Sequence, residues 1–336
     1  MERATWNRLL DEITSLEIRE RQNPAAPGQP NAFDKFRRTK IASVEKITGR
    51  PLVIYASACT SAKAVPGQLL MIDFTDKVGF KAVTEKIASP SLDILIHSPG
   101  GIADAAESIV QQLRGQFRNV RFIVPSFAKS AATMLVMSGN EILMDVDAEL
   151  GPIDPQMLTP NGASPAVAVL ELFEKAQAEI KRDQSRLAAW MPILSQLGPS
   201  LLIDCAHAID LAKNLVEQWT RDFMFEGDPN GAAKARQIAE YLSDHQAFKS
   251  HARAVKIPDL QRLGVNVTDL RSNVALQVAI DELYCCLDLL LSNSAVYKMF
   301  ENSRGDALIR QQQQMAVQLL QGQPGQIAPA PPTPRR

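Results

Sequence analysis

Long apolar runs are missing from this 336-residue sequence. No stretch approaches the roughly 20 consecutive apolar residues that span a bilayer, so no membrane helix and no membrane partner are expected. Cysteine is scarce. Cys59, Cys205 and the adjacent Cys285 and Cys286 have neither zinc-ligand spacing nor the density of a disulfide framework. Reduced thiols in a cytoplasmic setting are therefore expected, with no metal site. An excess of either charge is missing too: 36 Lys and Arg against 37 Asp and Glu leave a net charge of -1. That balance offers no general basic field for nucleic acid. Histidine is limited to His97, His207, His245 and His251, and no ATP-binding P-loop occurs, so any energy-driven unfolding would come from another protein.

What is present is an ordinary globular composition, 46% hydrophobic and 22% charged, on a chain long enough for a sizeable core. Trp6, Leu9, Leu10, Ile13, Leu16 and Ile18 recur at roughly helical spacing in a charged segment. This predicts an amphipathic helix, neither a signal peptide nor a span, followed by a linker at 23–31. Phe33 to Thr48 reads as a helix closed by Gly49, Leu52 to Ala56 as a strand, and Asp73 to Ile87 as a helix. After Ser164 strand-like runs disappear, and helical patterns (166–197, 201–225, 232–243 and the apolar 272–300) predict an all-helical half. A Gln- and Pro-rich end predicts a disordered tail. The expected division is an N-terminal arm and linker at 1–31, an α/β core at 32–163, a helical region at 164–305 and the tail at 306–336.

The stretch from Leu92 to Gln156 organises the rest. Leu92 to His97 has the length and β-branching of a buried strand, and Ser98-Pro99-Gly100-Gly101 ends it. A helical pattern follows from Ile102 to Leu113, then a strand from Val120 to Pro125. Next, Ser126-Phe127-Ala128-Lys129-Ser130-Ala131-Ala132-Thr133 leads into an apolar helix, which puts Ser130 at or near a helix N-terminus. Free N–H groups there favour developing negative charge, and the Gly-Gly turn could lend another donor. A strand at Glu141 to Met144 precedes Leu150-Gly151-Pro152-Ile153-Asp154-Pro155-Gln156, where two prolines would hold the Asp154 carboxylate in place. Strands alternating with helices imply an α/β fold with a parallel sheet.

Taken singly, each feature has an ordinary explanation: a serine before a helix usually caps it, and Gly-Gly after a strand is usually only a turn. Their joint occurrence in order is what resembles a family. The Ser98 to Gly101 turn, the Lys129 to Thr133 turn and the Leu150 to Gln156 loop resemble the serine dehydrogenase proteinase family. That family is a distant relative of ClpP, signal peptide peptidase A and the crotonases. The resemblance implies a ClpP/crotonase-like core and a serine protease with its triad in the chain order Ser, Asp, His. It implies no cofactor.

The segment His251 to Val267, with an apolar residue four after the histidine and a Leu-Gly-apolar-x-Val ending, resembles the family's histidine segment. The resemblance therefore implies Ser130 as nucleophile, His251 as base with His245 as the other candidate, and Asp154 as the orienting carboxylate. The N–H groups of Gly101 and Ala131 would be the oxyanion donors. His97 and His207 are expected to be packing or surface residues. Departures from the family pattern are Ala132 where glycine is common, Lys129 where an apolar residue is common, and Ala252-Arg253-Ala254 after His251. Three other readings are a Ser130–Lys129 dyad, a crotonase-like acyl-CoA enzyme and a scaffold without activity. Peptide or protein substrates and self-assembly into a homo-oligomer are expected.

Overall fold

The computed structural model describes residues 6–23, 30–159 and 162–312. Most of the expected linker, and the expected tail beyond Gln312, lie outside the described residues. Helix α1 (Trp6–Gln22) buries Leu9 and Ile13, the two apolar positions that one helical face brings together. Helix α2 (Ala32–Thr48) is capped by the Asn31 side chain and ends where Gly49 takes a left-handed φ of 68°. Strand β1 (Leu52–Ser57) follows, then the single turn α3 (Gly67–Leu70) and helix α4 (Asp76–Thr84), shorter than the expected Asp73 to Ile87.

The central stretch forms as its patterns predict, with β2 (Ser91–His97), α5 (Ala103–Gln116), β3 (Asn119–Val124), α6 (Ala131–Met137) and β5 (Glu141–Met144), and adds an unexpected two-residue strand, β4 (Phe127–Ala128), before α6. After β6 (Glu149–Leu150), a hairpin of β7 (Gln156–Thr159) and β8 (Gly162–Pro165) leads into helices. These are α7 (Ala166–Arg182), α8 (Leu187–Leu194), α9 (Leu201–Trp219), α10 (Gly231–Ser243), the short α11 (His245–Phe248) and α12 (Ile257–Arg262). The expected helix at 166–197 is thus broken at Asp183, and the one at 201–225 ends in a π turn.

The second half is not purely helical. Strands β9 (Val267–Asp269), β10 (Val296–Asn302) and β11 (Ala307–Gln311) join the main sheet, with α13 (Val274–Asn293) between β9 and β10. Among the described residues the sheet has seven strands in the order β11-β10-β1-β2-β3-β5-β9. All pairs from β1 to β9 are parallel, whereas β10 and β11 add antiparallel. Two expectations are corrected here. The apolar 272–300 region is a helix and then a strand, because a short apolar run does not distinguish the two by periodicity. The start of the expected tail is an edge strand, held in register by β10.

Strands buried on both faces explain why β1, β2 and β3 read as continuous apolar runs. Along β1, Val53 and Tyr55 face a core built with α4, α5, α6, α9 and α10; Leu52, Ile54 and Ala56 face α2 and α13. The apolar side of α13 is thereby buried within this chain. Helices α7 and α9 meet in a small separate core around Ala166, Val169 and Cys205. Helix α8 buries no residue, although it is strongly apolar.

Candidate active site

Past the carboxyl ends of β2, β3 and β5 the chain forms a second, shorter ladder. Ser98 bridges Ala128 in parallel, Ala128 pairs with Leu150 in parallel, and Leu150 bridges Val255 antiparallel. Its bonds include Lys129 N–H to Ser98 O at 3.1 Å, and the reciprocal pair between Leu150 and Val255 at 3.0 Å each way. Directions along this ladder bring the segments that carry the candidate residues to one end. Gly100 and Gly101 follow Ser98, Ser130 follows Ala128, and Asp154 follows Leu150. Because Val255 runs antiparallel, His251 precedes it at the same end. The apolar residue four after the histidine is thus the rung that docks the histidine segment beside the aspartate loop. A further bond, Ile153 N–H to Leu242 O at 2.9 Å, ties that loop to the end of α10, just before His245.

Ser130 has φ 51° and ψ -122°, and Ala132 N–H closes on Lys129 O at 2.9 Å. These values are those of the second residue in a type II′ turn, a position that favours glycine. A serine there carries backbone strain of order 1–3 kcal/mol, a feature that clusters at functional sites. The ordinary capping explanation fails, since the Ser130 side chain makes no cap hydrogen bond. The Gly-Gly turn lies directly against it. A Cβ built on Gly100 would stand 2.5 Å from Lys129 O, 2.7 Å from Ser130 Cβ and 3.1 Å from Ala131 N, so glycine is required by close approach as well as by its φ of 98°. Among the described residues no acceptor receives the Gly101 or the Ala131 N–H. The Ala132 methyl, a departure from the family pattern, is fully buried in the core under α6.

The Asp154 side chain is 1% exposed and takes three donors. His251 Nδ1 lies 2.6 Å from Oδ1, while His245 Nδ1 and Gln156 Nε2 each lie 3.0 Å from Oδ2. A carboxylate only accepts, so each imidazole donates from Nδ1 and keeps Nε2 for another partner. Both histidines remain partly solvent-accessible, His251 at 27% and His245 at 15%. Two imidazoles on one buried carboxylate is an arrangement the sequence does not announce, although His245 was the other candidate base and Gln156 stands in the aspartate loop.

Lys129 is directed elsewhere. Its Nζ donates to Glu149 Oε2 at 2.7 Å and to Leu150 O at 3.1 Å, and Lys256 reaches the other Glu149 oxygen at 3.1 Å. The bond from Lys129, with help from Lys256, lowers the Glu149 pKa. The ammonium thus braces the ladder, which argues against a Ser130–Lys129 dyad. His97 is buried, with its ring against Phe127 at 4.5 Å between centroids and Nε2 at 3.4 Å from Thr60 Oγ1. Burial lowers its pKa to about 4, so it is a neutral packing residue. His207 is exposed on α9.

The family model for ClpP-like SDH-type serine proteinases matches residues 67–286. Two uncharacterized proteins of Methanocaldococcus jannaschii are similar: one is 28% identical over 59% of this chain and 58% of its own length. The other is 27% identical over 52% of this chain and 51% of its own. The chain therefore spans little more than half the length of these relatives. Among solved structures, a serine-to-alanine mutant of the membrane-bound stomatin-specific protease 1510-N aligns at 15% identity. It covers 61% of this chain and 79% of that one, with a TM-score of 0.36. A lysine-to-alanine mutant of the same protease with a substrate peptide aligns at 16%, covering 59% and 70%, with a TM-score of 0.35.

Proposed function

This chain belongs to the family of ClpP-like SDH-type serine proteinases, and from that premise we propose that it cleaves peptide bonds with Ser130, His251 and Asp154. Ser130 Oγ attacks the scissile carbonyl while His251 Nε2 takes its proton. The same imidazole then protonates the leaving amine, and water releases the acyl group from Ser130 by the reverse exchange. Asp154 fixes the tautomer through His251 Nδ1. The Gly101 and Ala131 N–H groups receive the oxyanion. The observation that supports this reading is the Ser98–Ala128–Leu150–Val255 ladder, from whose one end the segments carrying these five residues continue.

A second assignment of the base is favoured by a specific contact: His245 Nδ1 lies 3.0 Å from the same carboxylate. His251 makes the shorter bond, at 2.6 Å, and follows the family's segment pattern. Labelling with a fluorophosphonate at neutral pH, located by intact mass, decides among these. We expect one adduct on wild type, none on Ser130→Ala, strong loss on His251→Ala and survival on His245→Ala. The reverse order for the histidines would make His245 the base. A folded wild type that takes no label would sink the peptidase reading.

The proposal extends to peptide or protein substrates and to self-assembly in the cytoplasm. Support for assembly is the exposure of Leu187, Met191 and Ile193 on the apolar α8. Among the described residues no helix is long and apolar enough to cross a membrane.

A further inference from the structure

We propose that Lys298, with Asp76 and Tyr55, is a positioning unit that fixes the direction of the Gly101 N–H; the inference rests on the reading of Gly101 as an oxyanion donor. The argument begins with one peptide plane. The Gly100 carbonyl and the Gly101 N–H belong to the same trans peptide and point in opposite directions. Ile72 N–H donates to that Gly100 carbonyl at 2.7 Å. The Gly101 N–H is therefore turned away from Ile72. Ile102 N–H returns to Ile72 O at 3.0 Å, so Ile72 grips the glycine turn on both sides. The fit is close: a Cβ on Gly101 would stand 2.3 Å from Ile72 O. Rotation of this one peptide would remove the donor.

Ile72 lies between two anchored neighbours. Lys298 Nζ donates to Met71 O at 2.6 Å, and Asp73 N–H donates to Asp76 Oδ2 at 3.3 Å. Lys298 also sits 3.1 Å from both Asp76 oxygens, and Tyr55 Oη donates to Asp76 Oδ2 at 2.7 Å. The side chains of Lys298 and Asp76 are fully buried. A buried ion pair is poor evidence for stability, because desolvation offsets the attraction. What this pair does is hold residues 71–73 at a defined distance from β1 and β10, which lie in the rigid sheet. Lys298 is on β10, outside the matched 67–286. The unit therefore connects a C-terminal strand to the candidate oxyanion turn.

The test compares wild type with Lys298→Met/Asp76→Asn, which removes both charges together, and with the milder Tyr55→Phe. Arg37→Met/Glu301→Gln is the control, since it removes another fully buried ion pair, bonded at 2.6 Å, that does not touch residues 71–73. Two quantities are read: the fluorophosphonate rate at Ser130, and amide exchange at Ile72 and Ile102. We expect the first double variant to label about 100-fold more slowly, the scale of losing one oxyanion donor, with faster exchange at both amides. Tyr55→Phe should show a smaller change in the same direction. The control should label at the wild-type rate. Unchanged labelling in the folded double variant, or an equal fall in the control, would overturn the proposal. A wild type that does not label counts against the peptidase reading instead; positioning is then decided by exchange alone, unchanged rates overturning it.

Discussion

Thr133 Oγ1 accepts the Gly151 N–H at 3.0 Å and donates its own proton to Ala128 O at 2.8 Å. One buried hydroxyl on α6 thereby joins the strand before Ser130 to the loop before Asp154. The isosteric change Thr133→Val leaves Gly151 N–H buried without a partner, a loss of about 1–3 kcal/mol. We expect a lower urea midpoint together with a several-fold slower fluorophosphonate reaction, because the spacing of Ser130 and Asp154 loosens. Full labelling at lowered stability would show that the bond supports the fold and not the site.

Ser130 stores strain in its positive φ of 51°. Ser130→Gly and Ser130→Ala both remove the hydroxyl, but only glycine adopts this conformation freely. The glycine variant should exceed the alanine variant by about 1 kcal/mol in urea unfolding, after allowing for the greater freedom glycine has when unfolded. Equal stabilities would mean the turn relaxes once the hydroxyl is gone.

Gly100→Ala should be far more damaging than its single methyl suggests. The new Cβ would press on Lys129 O and Ser130 Cβ at a φ that disfavours any side chain. A loss of roughly 3 kcal/mol or more is expected from strain and overlap together. Labelling of Ser130 should vanish in whatever fraction folds. A well-folded, reactive variant would show that the two turns can separate.

His97 links stability to pH. Its folded pKa of about 4 lies below the unfolded value, so the unfolded chain binds the proton first as pH falls. The stability it contributes is therefore complete above pH ~6.5 and is lost between there and pH ~4, about 3 kcal/mol in all. Between pH 7 and pH 5, wild type should lose about 2 kcal/mol more than His97→Gln in urea unfolding. Parallel pH profiles for the two would show that His97 is solvated in the folded state.

The longer elements of the central core and most of its turn residues are legible in the sequence alone. Buried strands such as Leu92 to His97 are mostly apolar on both faces, and turns that force a special backbone favour glycine or proline. Such demands are local, so Gly49, Gly100 and the prolines flanking Asp154 are legible in one dimension. Pairing across the chain is not local. Docking of Val255 on Leu150, which sets His251 on Asp154 and gives His245 a place on the same carboxylate, emerges from long-range pairing. Strand β10 was hidden for the same reason: Val296 to Phe300 is short and, apart from Lys298, apolar, and its identity as a strand comes from its partner β1. Nothing in the sequence singles out Lys298; its burial against Asp76 arises because folding brings together residues more than two hundred positions apart.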